Sequence, residues 1–310
     1  MLSYVVQRIL ATIPVLLGVS FLTFSMIHLV PGDPVALMMS TEDAWTGADV
    51  ERVRDEFGLN DPLYVQYGRY VLKAAHGDFG ISIRSRREVA GLILQALPYT
   101  LQLALCSMLV ALLVGVPLGV LAAVRHNTWV DTLAAVLSLG AVSMPTFWLA
   151  LLLIFLFSVT WNLLPATGQG SAAALILPVV ALGLREAAET SRLTRSGMLE
   201  VLRHDYITTA RAKGLAELLV LRRHALRNAL IPVITMLGLQ FGRLLAGTVV
   251  IETVFARQGI GRLAVEAILG KDFPTVQGVI LFMAVCYVLV NLLVDLSYAW
   301  LDPRIRYGSA

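Results

Sequence analysis

The chain has 310 residues, 57% of them apolar and only 15% charged, with a mean hydropathy of +0.76. Soluble domains average about 45–50% apolar and about 25% charged residues, so there are too few charges here to coat a globule. Disorder, collagen-like repeats and a disulfide scaffold are excluded as well. A net charge of +3 and an isoelectric point of about 9.0 fit Lys and Arg in the cytoplasmic loops of a membrane protein, not nucleic-acid binding.

Ile9–Val30 is the first charge-free run, and about 20 mostly apolar residues span a bilayer. It is too long for a signal-peptide core, and Val30-Pro31-Gly32-Asp33 is no small-residue cleavage site. The segment 31–98 opens on the turn Pro31-Gly32-Asp33-Pro34. It reads as short helices at Asp49–Phe57 and Pro62–Ala75 and turns again at Gly77-Asp78-Phe79-Gly80. A structural cap and a docking surface for an outside partner both fit it.

Tyr99–Val124 is the second span. The uncharged stretch Thr132–Leu184 is too long for one helix and breaks at the turn-rich Trp161–Ser171. Spans near Leu133–Thr160 and Ala172–Ala188 result. In the following segment, 185–228, Arg192–Arg203 reads as a basic helix and Asp205 caps a run Tyr206–Lys213. Gly214 ends that run, because glycine enters the left-handed conformation without a Cβ penalty. Leu215–Asn228 then resumes a helix. Two short helices meeting at a glycine make a protruding knuckle. It fits a groove on a soluble partner and equally a layer of anionic lipid heads.

Asn228–Val250 is the fifth span, interrupted by Arg243. A mid-span arginine costs roughly 2.5–3.5 kcal/mol on insertion scales, so Arg243 faces protein or water, or snorkels. A pore-lining cation, a structural ion pair and a subunit contact all stay open. Segment 253–274 holds Gly259-Ile260-Gly261-Arg262-Leu263, a helix at Leu263–Leu269 and Lys271-Asp272-Phe273-Pro274. It reads as a re-entrant element, tolerated only where buried in protein or lining a cavity. Thr275–Trp300 is the sixth span, with Asp295 near its end and expected to bond locally.

Six spans put both termini on one side. With the N-terminus inside, the inner face holds Arg8, Arg125, Arg304, Arg306 and the run Arg185, Arg192, Arg195, Arg203, Arg211, Lys213, Arg222, Arg223 and Arg227. The short outer loops hold only Arg257, Arg262 and Lys271. Segment 31–98 exceeds the roughly 60 residues above which loops escape the positive-inside rule. The expected topology is therefore N-in and C-in.

No P-loop, dinucleotide fingerprint, nucleophile elbow or zinc-protease motif occurs. His28, His76, His126, His204 and His224 are scattered without metal-ligand spacing, and Cys106 and Cys286 read as packing residues in apolar runs. The spans hold almost no ionisable groups for a proton relay, and no internal repeat of the kind many secondary carriers carry is seen. The expectation is a chain with no catalytic, cofactor or metal site of its own.

Asp205-Tyr206-Ile207-Thr208-Thr209-Ala210-Arg211-Ala212-Lys213-Gly214-Leu215, followed by His224-Ala225-Leu226-Arg227-Asn228-Ala229-Leu230-Ile231-Pro232, resembles the cytoplasmic EAA loop of binding-protein-dependent ABC importer permeases. It is most similar to the branch importing dipeptides, oligopeptides and nickel. The resemblance covers essentially the whole chain, through Pro31-Gly32-Asp33-Pro34, Gly77-Asp78-Phe79-Gly80, Ser143-Met144-Pro145, Glu252-Thr253-Val254-Phe255, Gly259-Ile260-Gly261-Arg262-Leu263 and Asp302-Pro303-Arg304-Ile305-Arg306. The chain departs from the family pattern in three places. Thr208 stands where the general signature has Glu. Arg257-Gln258-Gly259 replaces an aromatic-Pro-Gly. Arg243 stands where small or polar residues are usual.

The resemblance implies an all-α integral membrane protein of the type I ABC importer permease fold. It would have six transmembrane helices, N-in/C-in, and a small helical external segment after helix 1. Residues 1–98 would be the N-terminal helix plus that segment. Residues 99–310 would be a five-helix permease core containing the coupling loop at about 185–228. Thr208, Thr209, Ala210, Arg211, Ala212, Lys213, Gly214 and Leu215 would sit in a groove of a cytoplasmic ATPase, with Gly214 fixing the turn and Ala210 permitting close approach. Arg243 is the candidate for the translocation pathway. The implied partners are a homologous second permease in a heterodimer, two ABC ATPase subunits, an external substrate-binding protein and membrane lipid. ATP and Mg would sit on the ATPases, with no cofactor in this chain. The implied location is a prokaryotic inner membrane, and the implied substrate a peptide, with nickel or its chelate next. The competing reading is a secondary carrier or channel that works without an ATPase.

Overall fold

A computed structural model describes residues 2–29 and 60–301 of the chain. The expected turn at Pro31–Pro34, the helix Asp49–Phe57 and the motif Asp302–Arg306 lie outside the described residues. Within them the regular structure is helical, apart from one isolated bridge between Ile81 and Glu88.

The helices in chain order are α1 (Leu2–Leu29), α2 (Leu63–Ala75), α3 (Val89–Val124), α4 (Trp129–Ser143) and α5 (Thr146–Thr160). They continue with α6 (Ala172–Val201), α7 (Asp205–Ala212) and α8. α8 starts at Glu217–Leu219, passes through the π-helical Val220–Leu226 and runs on as Arg227–Gly247. Last come α9 (Val249–Val254), α10 (Ile260–Leu269) and α11 (Phe273–Leu301).

Four described helices are long and apolar enough to cross a membrane: Val6–Met26, Val89–Val124, Glu217–Leu245 and Phe273–Leu296. The bent pair α4–α5 would make a fifth, its halves meeting at 103°. The bend has a local cause. Met144 is extended, with ψ 131°, as a residue before proline prefers, and Pro145 then opens α5. The uninterrupted span expected at Leu133–Thr160 is therefore two helices.

The expected span Ala172–Ala188 also takes another form. α6 does not stop there; it runs to Val201 and gathers Arg185, Glu186, Glu189, Arg192 and Arg195. It is the most enclosed helix of its unit, burying Leu177, Val179, Ala181, Leu182, Ala187, Thr190, Ser191, Thr194 and Met198. A helix surrounded by protein needs no continuous lipid-facing apolar surface.

The chain forms two compact units. One comprises Met1–Pro98 with Gly259–Leu289, the other Tyr99–Gln258 with Val290–Ala310. In the first unit, α2 rests on α1 through hydroxyls and rings. Ser20 Oγ lies 2.9 Å from Tyr67 Oη, Thr23 Oγ1 lies 3.2 Å from Tyr70 Oη, and Phe24 contacts both tyrosine rings. Val89, Ile93, Ala96, Ile260 and Val279 form its apolar core. Asp272, 4% exposed, ties the turn after Gly80 to the start of α11. It accepts from Ser82 Oγ at 2.6 Å, Thr275 Oγ1 at 2.7 Å and the Ile83 amide at 3.1 Å. Asp272→Ala would strand the buried Ser82 and Thr275 hydroxyls, each worth about 1–3 kcal/mol when left unpaired. The expected result is a clear fall in the melting temperature of the purified protein, and Asp272→Asn should recover part of it.

In the second unit α6 packs against α3, α4, α5 and α8. Its contact with α3 is close because two glycines four residues apart, Gly115 and Gly119, face it. A Cβ on Gly115 would lie 2.6 Å from the Ala187 carbonyl oxygen, and one on Gly119 would lie 2.5 Å from that of Ser191. Small residues at this spacing let helix backbones meet inside a membrane. The start of α4 is fixed to α6 by a fork of charge-assisted bonds. Arg195 Nε donates to Asp131 Oδ1 at 2.6 Å and Nη2 to Oδ2 at 2.8 Å, while the Asn127 amide donates to Oδ2 at 3.1 Å.

Candidate functional site

The knuckle is built from a short amphipathic helix. His204 is extended, with ψ 145°, and α7 begins directly after it. Asp205 thus stands in the first helical turn and not at the cap, where its charge still favours the positive helix end. Ile207 and Ala210, three residues apart and on one face, are buried against Met198, Val201, Val220, Ala225 and Ala229. Thr208, Thr209, Arg211, Ala212 and Lys213 face outward and are exposed. Ala210 is turned into the chain's own core, so its small size serves packing within the chain.

The helix ends as helices with a left-handed residue end. Gly214 has φ +78°. Its amide donates to the Arg211 carbonyl at 2.9 Å, and the Leu215 amide reaches back to Ala210 at 3.4 Å. Ala216 is extended, with ψ 136°, and α8 starts at Glu217. Arg211 brackets the turn by donating from Nη2 to Glu217 Oε1 at 2.6 Å and from Nε to Oε2 at 3.0 Å. This bond pushes the Arg211 guanidinium further above its ordinary range, so it stays charged. On the other flank His204 stacks on Tyr206, whose hydroxyl accepts from Asn228 Nδ2 at 2.8 Å. The knuckle is therefore bonded at both ends to α8.

Two open clefts adjoin it. One of about 640 Å³ is lined by Ala216, Leu218, Leu219, Arg222, Arg223 and Arg227. The other, about 520 Å³, is lined by Tyr206, Arg223, His224, Arg227, Asn228 and Ile231. Arginines beside exposed leucines give this end of the chain a surface that is both cationic and apolar.

Arg243 lies away from the knuckle, on α8. Its Nη2 donates to Glu189 Oε2 at 2.7 Å and lies 4.0 Å from Glu186 Oε2, both on α6. The ion pair weighed for Arg243 is present, yet its side chain remains 49% exposed. Sequence reasoning passed over Glu186 and Glu189. Their signal was two acids three residues apart on the helix that adjoins an isolated basic residue.

Residues 115–307 match the family described as "Binding-protein-dependent transport system inner membrane component". Residues 1–104 match its N-terminal companion, "Binding-prot-dependent transport system membrane comp, N-term". The chain belongs to this permease family. The glutathione transport system permease protein GsiC of Escherichia coli strain K12 is 45% identical over 308 residues, covering 99% of this chain and all of that one. Its counterpart in Shigella flexneri serotype 5b is 44% identical over the same span, again covering 99% of this chain and all of its own. Among solved structures, a chain of the inward-facing MetNI methionine ABC transporter shares the fold. Its TM-score is 0.58 at 18% identity, covering 68% of this permease and 96% of that chain.

The permease is thus a multi-pass inner-membrane subunit of a bacterial ABC importer. Permease subunits of this family are non-catalytic, and partner ATPases hydrolyse the ATP. The family implies a substrate-binding protein as a further partner.

Proposed function

We propose that this permease forms half of the translocation pathway for a short peptide of the glutathione class. The observation that carries this reading is the 45% identity to a glutathione permease along the full length of both chains. Six membrane crossings complete the topology, with the bent pair α4–α5 as one, α6 as another and both termini in the cytoplasm. The basic residues from Arg203 to Arg227 lie inside by the positive-inside rule. Residues 1–98 supply the first helix and the external segment, and 99–310 the five-helix core.

In the assembled importer this chain pairs with a second, similar permease in a heterodimer. Two ATPases bind ATP and Mg on the inner face, and a loaded binding protein docks outside. The knuckle Thr208–Leu215 sits in an ATPase groove. ATP binding draws the ATPases together, and the knuckle carries that motion into α8 as a rigid body. The helix bundle then switches between inward- and outward-facing states. The fastenings Arg211–Glu217 and Tyr206–Asn228 support this, because they tie the knuckle to α8 on both sides. Arg243 lies on the pathway, since a half-exposed guanidinium at this depth is stable only against water or protein.

The test is uptake by proteoliposomes holding this chain with its second permease, ATPases and binding protein. Glutathione is expected to accumulate with ATP inside and to outcompete both an unrelated dipeptide and Ni²⁺. Accumulation of Ni²⁺ with indifference to glutathione would overturn the substrate assignment.

A further inference from the structure

The seam between α6 and α8 gathers charge where the chain is otherwise apolar. Arg243 Nη2 bonds Glu189 Oε2 at 2.7 Å and lies 4.0 Å from Glu186 Oε2, while Arg185 Nε lies 3.9 Å from Glu189 Oε1. Two guanidiniums and two carboxyl groups thus share one place. Beside them the Thr190 hydroxyl donates to Gln240 Oε1 at 3.3 Å.

This is more than a closed structural pair. Glu186 Oε2 is buried and without a hydrogen-bond partner, and so is Gln240 Nε2. Buried polar atoms are nearly always paired, so each of these two atoms holds hydrogen-bonding capacity that the seam itself does not use. The two guanidiniums bordering them are also accessible, with the Arg185 side chain 41% exposed and that of Arg243 49%. Arg243 stands about 24 Å along the helix axis from Arg227, within a helix apolar enough to cross a membrane. A guanidinium exposed to lipid within a span is costly. The accessible side of the seam therefore meets water or protein.

We propose that Arg185, Glu186, Glu189, Gln240 and Arg243 form a binding site on the translocation pathway for the charged ends of a zwitterionic peptide. This rests on the peptide-importer reading above and goes further by naming the recognition groups. Glu189, the more accessible of the two acids, takes the ammonium end, with Glu186 behind it. The guanidiniums take the carboxylate, an anion their planar donor fork fits with two parallel bonds. Gln240, wholly buried behind the charges and bonded by the Thr190 hydroxyl, backs the site without reaching the peptide. Because Arg243 already has a partner in Glu189, an arriving peptide exchanges one ion pair for another. The site therefore holds the peptide weakly enough to release it, as conduction requires.

The experiment uses the complete transporter in proteoliposomes, with the binding protein saturated by each peptide so that only the membrane step is read. A tripeptide with free ends is compared with its C-amidated and N-acetylated forms, in wild type, Arg243→Gln, Glu189→Gln and the exchange Arg243→Glu/Glu189→Arg. Loss of a charge-assisted bond is expected to slow the free peptide about tenfold or more. Arg243→Gln should slow peptides with a free carboxylate and spare the amide. Glu189→Gln should slow those with a free ammonium and spare the acetylated form. The exchange variant retains the ion pair and the assembly but not the wild-type preference. Equal slowing of all three peptides, or wild-type selectivity restored by the exchange, would overturn the site and leave a structural pair. Failure of the wild type to import any of the three with ATP and binding protein would overturn the peptide-importer reading itself, a separate result.

Discussion

Gly119→Leu is expected to abolish the folded permease. A Cβ at Gly119 would meet the Ser191 carbonyl oxygen at 2.5 Å and the Thr194 Cβ at 2.6 Å. Neither is the far end of a flexible side chain that can swing away. α6 cannot retreat either, because it is also held by α4, through the Asp131–Arg195 fork, and by α8, through the Arg243–Glu189 pair. Overpacking a well-filled contact costs about 1–3 kcal/mol, and more where backbone must move. That is a large part of the 5–15 kcal/mol that holds a typical fold together. The measurement is the yield of monodisperse protein from detergent extracts. Leu118→Ala, next door and exposed, serves as the control and should stay near wild type. Equal yields from Gly119→Leu and Leu118→Ala would mean that α3 and α6 do not meet as described.

The second large effect is on coupling and not on folding. Gly214→Val should leave insertion intact and remove most substrate-driven ATP hydrolysis. Space is not the obstacle, since nothing lies within 4 Å of a Cβ placed there. The obstacle is the backbone, because φ is +78° and the left-handed region costs an L-residue roughly 1–2 kcal/mol, more for a β-branched one. The chain can relieve that strain only by opening the turn, which misplaces Lys213 and Leu215 relative to α8. A loss of 1–2 kcal/mol corresponds to a factor of about 5–30. Gly214→Asn is the informative companion, since asparagine enters this conformation more readily. It should retain most activity. Equal losses in both variants would point to side-chain bulk against the partner instead of turn geometry.

The knuckle was legible in the sequence for a reason that also explains what was not. Its signals are local: Asp205 at the start of a short helical run and a glycine where the chain must turn. The same holds for α2, started by Pro62, and for α10. Contacts between distant segments carry no such signal. Asp131 reads as an ordinary first-turn acid until Arg195 is seen across from it. Arg257, in the position where the family has an aromatic-Pro-Gly, reads as a loop residue. In the structure it is 3% exposed and donates from Nη2 to Gln102 Oε1 at 3.3 Å. Apolar length was the weakest guide. It found the long apolar helices and ended α6 too early, at Ala188 instead of Val201, because enclosure by protein lets that helix carry charges. The bend at Pro145 was visible as a proline but did not outweigh the charge-free run around it.

The central claim is that the exposed face of α7 is the contact through which ATP drives this permease. The direct measurement is a photoreactive residue in place of Lys213 in the assembled transporter. Lys213 is exposed and adjoins the turn. The predicted result is an adduct with an ATPase subunit whose yield changes when ATP is added. Adducts with lipid alone, indifferent to nucleotide, would contradict the account.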